Sequence, residues 1–312
     1  MKCLKKWKST LPQLPMNAGL KMKISGFAIA RNVIQADYPI KEALLSIAPL
    51  CDEIIVAVGK SQDNTRDYIE GLNIHHLKII DTVWDDNLRE GGAVLADETN
   101  KALAAVSPDS DWLFYIQADE CVHEDDIVKI KNTMEICLND PNIDGLLFDY
   151  LHFYGSYDFL GDSRRWYKQE IRIIRNNKGI KSWKDAQGFR HQNDTKINVA
   201  HCQSRIFHYG WVKHPKHQQV KQMQFHRLWH DDAFIQKNVN ISDEFDYSSI
   251  DSLVPFDRTH PDVMKDRIES VNWKFNFNPI SKNFGLKARL LYWIEKKFGW
   301  RVGEYKNYHK IK

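Results

Sequence analysis

The feature that most constrains the fold of this chain is a regular alternation of short β-rich runs and amphipathic segments, starting at residue 24. Ile24 to Ala30 reads as a strand. Pro39 then opens a segment with Ile40, Ala43, Leu44 and Ile47 at helical spacing, and Glu53 to Val58 reads as a second strand. Asn64 to Leu72 fits a short helix, Leu77 to Asp81 a third strand, Gly92 to Val106 a helix, and Asp111 to Ile116 a fourth strand. Glu124 to Leu138 continues the alternation as a helix and Asp144 to Tyr150 as a fifth strand. Strands recurring at roughly 20- to 35-residue intervals leave room for one helix in each connection, the signature of parallel pairing. The pattern predicts an α/β chain with a doubly wound, mostly parallel sheet covered by helices on both faces.

Beyond residue 150 the regularity fades. Residues 151–210 are aromatic-rich with short β-like pieces at Glu170 to Arg175 and Ser204 to His208, residues 213–230 read as a basic, solvated helix, and residues 238–260 are acidic and loop-like. A last helix is expected from Phe284 to Phe298. With 312 residues, 43% hydrophobic and 27% charged, the composition is that of a globular protein. No run of apolar residues is long enough to span a bilayer, and no apolar stretch follows the lysines near Met1. Five widely spaced cysteines without a C-x-x-C pair suit a reducing compartment, so the expected location is cytoplasmic. The net charge of +3 hides a polarised distribution: residues 1–23 hold six lysines and no acid, residues 282–312 hold nine cations against two glutamates, and residues 24–281 are net acidic. A broad nucleic-acid-binding face on such a body is not expected, because phosphate neutralisation needs clustered cations.

In open parallel sheets ligands bind where the loops leave the carboxyl ends of the strands. Those loops are Ala30-Arg31-Asn32, Gly59 to Thr65, and Gln117-Ala118-Asp119-Glu120. Neither G-x-G-x-x-G after the first strand nor G-x-x-x-x-G-K-[ST] occurs, which removes the dinucleotide-dehydrogenase and P-loop readings. Acids at strand ends suit Mg²⁺ or Mn²⁺, which pair one or two carboxylates with substrate phosphates. A nucleoside diphosphate meets that demand.

Three segments in this order, Phe27 to Asn32, Val58 to Thr65 and Tyr115 to Glu120, resemble family 2 glycosyltransferases of the GT-A fold, across roughly residues 22 to 215. The resemblance implies inverting transfer of a sugar from a nucleotide-diphosphate donor. It places Ala30, Arg31, Asn32, Asp63, Arg89, Gly91, Gln117 and Asp119 on the donor, with Asn100 in the diphosphate-side segment. Asp119 matches the metal-binding acid of the D-x-D motif, whereas Gln117 stands where its first aspartate is usual. A cation, Mn²⁺ or Mg²⁺, would then rest mainly on Asp119, helped by Glu120 and by His208 from the segment Phe207 to Pro215. The acceptor-side base is expected at Asp185, with Asp194 and Glu170 behind it. The domain plan that follows is a basic leader at 1–21, a nucleotide-sugar-binding half at 22–150, an acceptor-side half at 151–235 and a C-terminal extension at 236–312.

The acceptor class implied is a saccharide or a lipid-linked saccharide of a cell-surface glycan. The final helix, with Leu286, Leu290, Leu291, Ile294 and Phe298 among lysines and an arginine, either packs on the body or contacts anionic lipid at the inner membrane face. The spacings His214-x-x-His217 and His226-x-x-x-His230 lack the glutamate of a zinc protease helix and any nearby cysteine, so zinc is not expected there. Two other classes stay open from the sequence: a nucleotidyltransferase, though Ala30-Arg31-Asn32 is poor in glycine, and a non-catalytic carbohydrate or lipid-surface module built on Trp166, Tyr167, Trp183 and Trp211.

Overall fold

Four strands in the first third of the chain are paired in parallel, as their single-helix connections require: Leu77–Thr82 (β3), Glu53–Gly59 (β2), Ile24–Ala30 (β1) and Trp112–Tyr115 (β4), in that spatial order. The computed structural model describes residues 22–88, 90–230, 234, 237, 242–275, 277 and 282–311. Ile40–Ile47 (α1), Thr65–Glu70 (α2) and Ala93–Ala104 (α3) make the crossovers, and Ile127–Leu138 (α4) follows the short strand Glu120–Val122 (β5). Alternation along the strands divides the core in two. Ala28, Val56 and Phe114 pack with Leu44 and Ile47 of α1 and Met134 of α4, while Phe27, Ile55 and Tyr115 pack on the opposite face with Ala102 of α3.

The second half joins the same sheet. Gln169–Arg175 (β8) inserts antiparallel between β4 and Gly145–Tyr154 (β6), so β6 runs in the direction of β1 to β4 but pairs with none of them. The sheet is therefore mixed at its centre. Ser156–Gly161 (β7) pairs antiparallel with β6, and the long strand Asn198–Trp211 (β11) pairs with it in parallel. Ile180–Trp183 (β9) and Gly188–His191 (β10) form a separate hairpin over the α3 face, where Phe189 meets Phe27 and Tyr115. The helix Pro215–Trp229 (α5) follows β11.

The C-terminal stretch supplies two edge strands to the main sheet, Leu253–Pro255 (β12) on β7 and His309–Lys310 (β13) on β11, and two helices, Lys265–Glu269 (α6) and Leu286–Phe298 (α7). It is thus knitted into the body and is no loose appendage. A hydrophobic cluster of Phe153, Tyr157, Phe207, Tyr209 and Met264 joins this stretch to β6 and β11. No described helix is long and apolar enough to cross a membrane.

Candidate active site

Because β1, β2, β4, β6 and β11 all point the same way, their carboxyl ends meet on one edge and enclose a cleft of about 1070 Å³. Of the residues expected from the sequence, Ala30, Arg31, Asn32, Gln117, Asp119, Asp185 and His208 line it. Trp84, Tyr38, His152, Trp166, Trp211 and Lys221 join them.

Asp119 lies at the floor, 7% exposed. Its Oδ2 accepts a hydrogen bond from the Lys221 ammonium at 2.9 Å, and its Oδ1 lies 3.8 Å from His208 Nε2. Burial alone would raise the Asp119 pKa, but the positive charge of the Lys221 ammonium outweighs it and holds the carboxyl well below the usual carboxylate range. Close approach of β11 to this acid depends on Gly210: a Cβ there would stand 2.7 Å from Asp119 Oδ2 and 2.7 Å from His208 Cε1.

The hydrogen-bond chain behind His208 fixes its proton. His152 Nε2 contacts the Tyr167 carbonyl at 2.8 Å, and a carbonyl only accepts, so this nitrogen carries a hydrogen. Burial lowers the pKa of His152 far below its ordinary value, so the ring is neutral and its Nδ1 is a bare acceptor. The 3.2 Å contact between the two Nδ1 atoms then makes His208 the donor. Burial also lowers the pKa of His208, so its Nε2 presents a lone pair beside the carboxylate of Asp119. A carboxylate oxygen and an imidazole lone pair 3.8 Å apart repel unless a cation lies between them, and they are a donor pair that suits Mn²⁺ or Mg²⁺ completed by phosphate oxygens.

Asp185 reaches the cleft from the turn between β9 and β10, flanked by Lys184 and Ala186 in the left-handed region (φ 55° and 59°). Non-glycine residues held there cost roughly 1 kcal/mol each, a cost that other contacts must offset. Gln117 Nε2 donates to the Ala186 carbonyl at 3.4 Å and Arg172 Nη1 to that of Gln187 at 2.9 Å, pinning the turn to the sheet. Burial raises the Asp185 pKa, opposed by hydrogen bonds from its own backbone N–H and that of Gln187. Gly92, at φ 72°, lets the start of α3 approach: a Cβ there would stand 3.0 Å from Asp185 Cβ and 3.1 Å from the Trp229 ring.

Several expected site residues do other work. All four acceptor positions of Glu120 are taken, by Arg172 Nη2 at 2.7 Å and Tyr150 Oη at 2.8 Å on one oxygen, and by Arg172 Nε at 2.8 Å and the Gln117 N–H at 3.2 Å on the other. It is fully buried and has nothing left for a cation, which corrects the expectation of Glu120 as a metal ligand. Asp63 accepts from the backbone N–H groups of Ile34 and Gln35 at 3.1 and 2.9 Å, and from the N–H and hydroxyl of Thr65. Through these bonds it shapes the Asn32 to Gln35 loop at the edge of the cleft. Gln117 reaches the cleft and donates from its amide nitrogen to the Ala186 carbonyl. Gly91 is exposed at φ 61° and is not part of the cleft lining, Asn100 bonds Ser182 across to β9, and Asp194 pairs with Lys181 at 2.9 Å. Arg89 and the leader 1–21 lie outside the described residues.

The sequence places Lys221 and Lys213 on a solvated helix. Instead Lys213 is fully buried, donates to the Asp37 carbonyl at 2.6 Å, and has its pKa pushed down to about 7 by burial and then by Lys221. Both ammonium groups lie over the Tyr38 ring, at 4.5 and 5.1 Å. No local pattern marks Lys221 as a partner of Asp119, since 102 residues separate them. Arg31 stacks on Trp84 at 5.2 Å, and Arg31 Nε and Trp84 Nε1 are buried donors without a partner.

Glu170 is buried beside Arg172 and near Asp185, and burial, with the charges of Asp185 and Glu120 adding to it, pushes its pKa up to about 7 from the ordinary glutamate value of 4.5. Between those two pH values the folded chain keeps a proton that the unfolded chain has lost, so this group's contribution to stability falls as pH rises through the window. Glu170→Gln is therefore expected to stabilise the protein by about 3 kcal/mol at pH 8 and to change little at pH 4, read from denaturant midpoints at both pH values.

No family model matches the chain, and no curated protein matches it. Among solved structures, an S. aureus TarS fragment in complex with UDP aligns over 43% of this chain and 37% of its own, at 22% identity and TM-score 0.33. Mannosyl-3-phosphoglycerate synthase from Rubrobacter xylanophilus aligns over 42% and 41%, at 19% identity and TM-score 0.31. Glucosyl-3-phosphoglycerate synthase from Mycobacterium tuberculosis, in complex with Mn²⁺, UDP and phosphoglyceric acid, aligns over 43% of both chains, at 22% identity and TM-score 0.28. The aligned part thus spans only about two fifths of those proteins.

Proposed function

We propose that this chain is an inverting glycosyltransferase that moves a sugar from a nucleotide-diphosphate donor to a hydroxyl acceptor. The observation that carries the reading is the pairing of Asp119 Oδ1 with the bare Nε2 of His208, beside the Lys221 ammonium and in the same cleft as Asp185. Asp119 and His208 would hold the divalent cation, and the residues fit that role because one is anionic, the other offers a lone pair, and Gly210 keeps the space beside them clear. The cation, when bound, offsets negative charge that grows on the departing diphosphate.

The chain's own groups do the rest. Lys221 adds a fixed positive charge at the same place, oriented before substrate arrives by Asp119 and the Gly210 carbonyl. Arg31, stacked on Trp84, forms with it the wall at the β1 and β3 ends where a nucleoside would rest. Asp185 takes the proton from the attacking hydroxyl as that oxygen meets the anomeric carbon from the face opposite the diphosphate. A raised pKa makes it a stronger base than an ordinary carboxylate, and also requires higher pH to keep it ionised.

Trp166 and Trp211 offer apolar rings to a sugar acceptor on the β6 and β11 side. A lipid-linked saccharide and a role in polysaccharide biosynthesis belong to the same proposal. The test is incubation with a panel of nucleotide sugars and Mn²⁺, reading released nucleoside diphosphate. Asp185→Asn is expected to lower kcat by about a hundredfold or more while leaving donor binding within a few-fold, since a general base contributes on that order. The acid limb of the wild-type kcat/KM profile should sit above the ordinary carboxylate range, and a flat profile down to pH 4 would remove Asp185 from this role.

A further inference from the structure

Helix α7 is attached to the body by its polar side. Glu295, 7% exposed, receives Arg301 at 3.1 Å, Arg164 at 3.4 Å and Lys168, while Asp162 of the segment after β7 receives Lys282 at 3.1 Å together with Tyr292 and Lys296. The opposite side is apolar and open. Leu286, Leu290 and Trp293 follow one another at four- and three-residue spacing, 87%, 58% and 50% exposed, and Phe298 and Trp300 extend the patch at the helix end. Leu286 and Glu295 are nine residues apart, about two and a half turns, which puts them on opposite faces. A surface helix ordinarily turns its apolar stripe inward, and a contiguous exposed patch of large apolar side chains marks a contact surface.

We propose that this face of α7 docks on an anionic phospholipid surface. Lys287 and Arg289 flank the stripe and make no ion pair among the described residues, and Lys297 lies over the Trp293 ring at 4.8 Å, beside the same stripe. An apolar strip with a cationic rim and two tryptophans has the chemistry of an interfacial helix: aliphatic groups enter the acyl boundary, indoles sit at headgroup level, and cations meet lipid phosphates. Charge decides against two other occupants. Residues 1–21 carry five lysines and no acid, and a second copy of this face would bring the same cations against each other. The proposal stands independently of the transferase reading. Their connection is that Asp162, Glu295 and Lys296 line a smaller cavity that shares His152, Trp166 and Tyr167 with the main cleft, so docking would hold the acceptor side of that cleft near the membrane.

The test is sedimentation of the full chain with vesicles of phosphatidylglycerol and phosphatidylcholine in equal parts, and with phosphatidylcholine alone. Binding is expected to the anionic vesicles and to weaken in high salt. The pair Lys287→Ala and Arg289→Ala is expected to weaken it about tenfold or more. The pair Leu290→Glu and Trp293→Glu should abolish it without altering the melting temperature, because both side chains are already exposed. Equal binding to neutral vesicles, or undiminished binding by either variant pair, overturns the proposal. So does wild-type dimerisation in solution that the Leu290→Glu and Trp293→Glu pair reverses, which would assign the face to a second copy.

Discussion

Asp119→Asn is expected to abolish sugar transfer, lowering kcat by about a thousandfold or more, while the chain still folds. Asparagine keeps the shape of the side chain and removes its charge, so the change isolates electrostatics. Under the proposed function two consequences follow at once: a bound cation would lose its anionic ligand, and Lys221, almost fully buried, loses the carboxylate that its Nζ meets at 2.9 Å. An uncompensated buried ammonium shifts its pKa down and no longer supplies full positive charge to a departing diphosphate. Released nucleoside diphosphate measures the loss, and circular dichroism verifies the fold. Turnover within about tenfold of wild type would show that the charge of Asp119 is not what stabilises the transition state.

The second large effect concerns stability. Arg172 and Glu120 form a bidentate pair with both side chains fully buried, and Tyr150 and the Gln117 N–H complete the acceptor positions. Truncating one partner leaves the other charged and without its counter-ion in a low-dielectric interior, which costs about 3–5 kcal/mol. Glu120→Ala is expected to lose that much, read from the urea midpoint at constant m-value, whereas replacing both residues with methionine should recover most of it. Because Arg172 also holds the Gln187 carbonyl beside Asp185, the single variant should lose transfer activity beyond its effect on folding. A cost under about 1 kcal/mol would mean that water reaches the pair and screens it.

How far the sequence foretells this arrangement depends on the range of the interactions. Local patterns carry the elements well: the strands at Ile24–Ala30, Glu53–Gly59 and Leu77–Thr82 and the helices α1, α3, α5 and α7 lie within a few residues of where periodicity and punctuation place them. The antiparallel entry of β8 between β4 and β6 is invisible to such patterns, because Gln169 to Arg175 is apolar enough for either direction and only tertiary pairing chooses. The same holds within the site. Asp119, at the end of a hydrophobic strand, stands out, whereas the roles of Glu120 and Asp63 depend on donors from Arg172, Tyr150, Ile34 and Gln35 that come from distant segments. Lys221 looks like any lysine on a polar helix until α5 is folded over Tyr38 and Asp119. The amphipathic pattern of α7 is legible, but which face turns inward is decided by the partners of Glu295 and Asp162.

The central claim is that Asp119 and His208 together grip a cation-bridged diphosphate at the strand ends. Titration calorimetry with UDP and with GDP, each in the presence and absence of Mn²⁺, tests it most directly. The account predicts binding of at least one nucleoside diphosphate that requires Mn²⁺ and falls by about a hundredfold or more in Asp119→Asn and in His208→Ala. Absence of binding by either nucleotide, or Mn²⁺-independent binding that both variants retain, would contradict it.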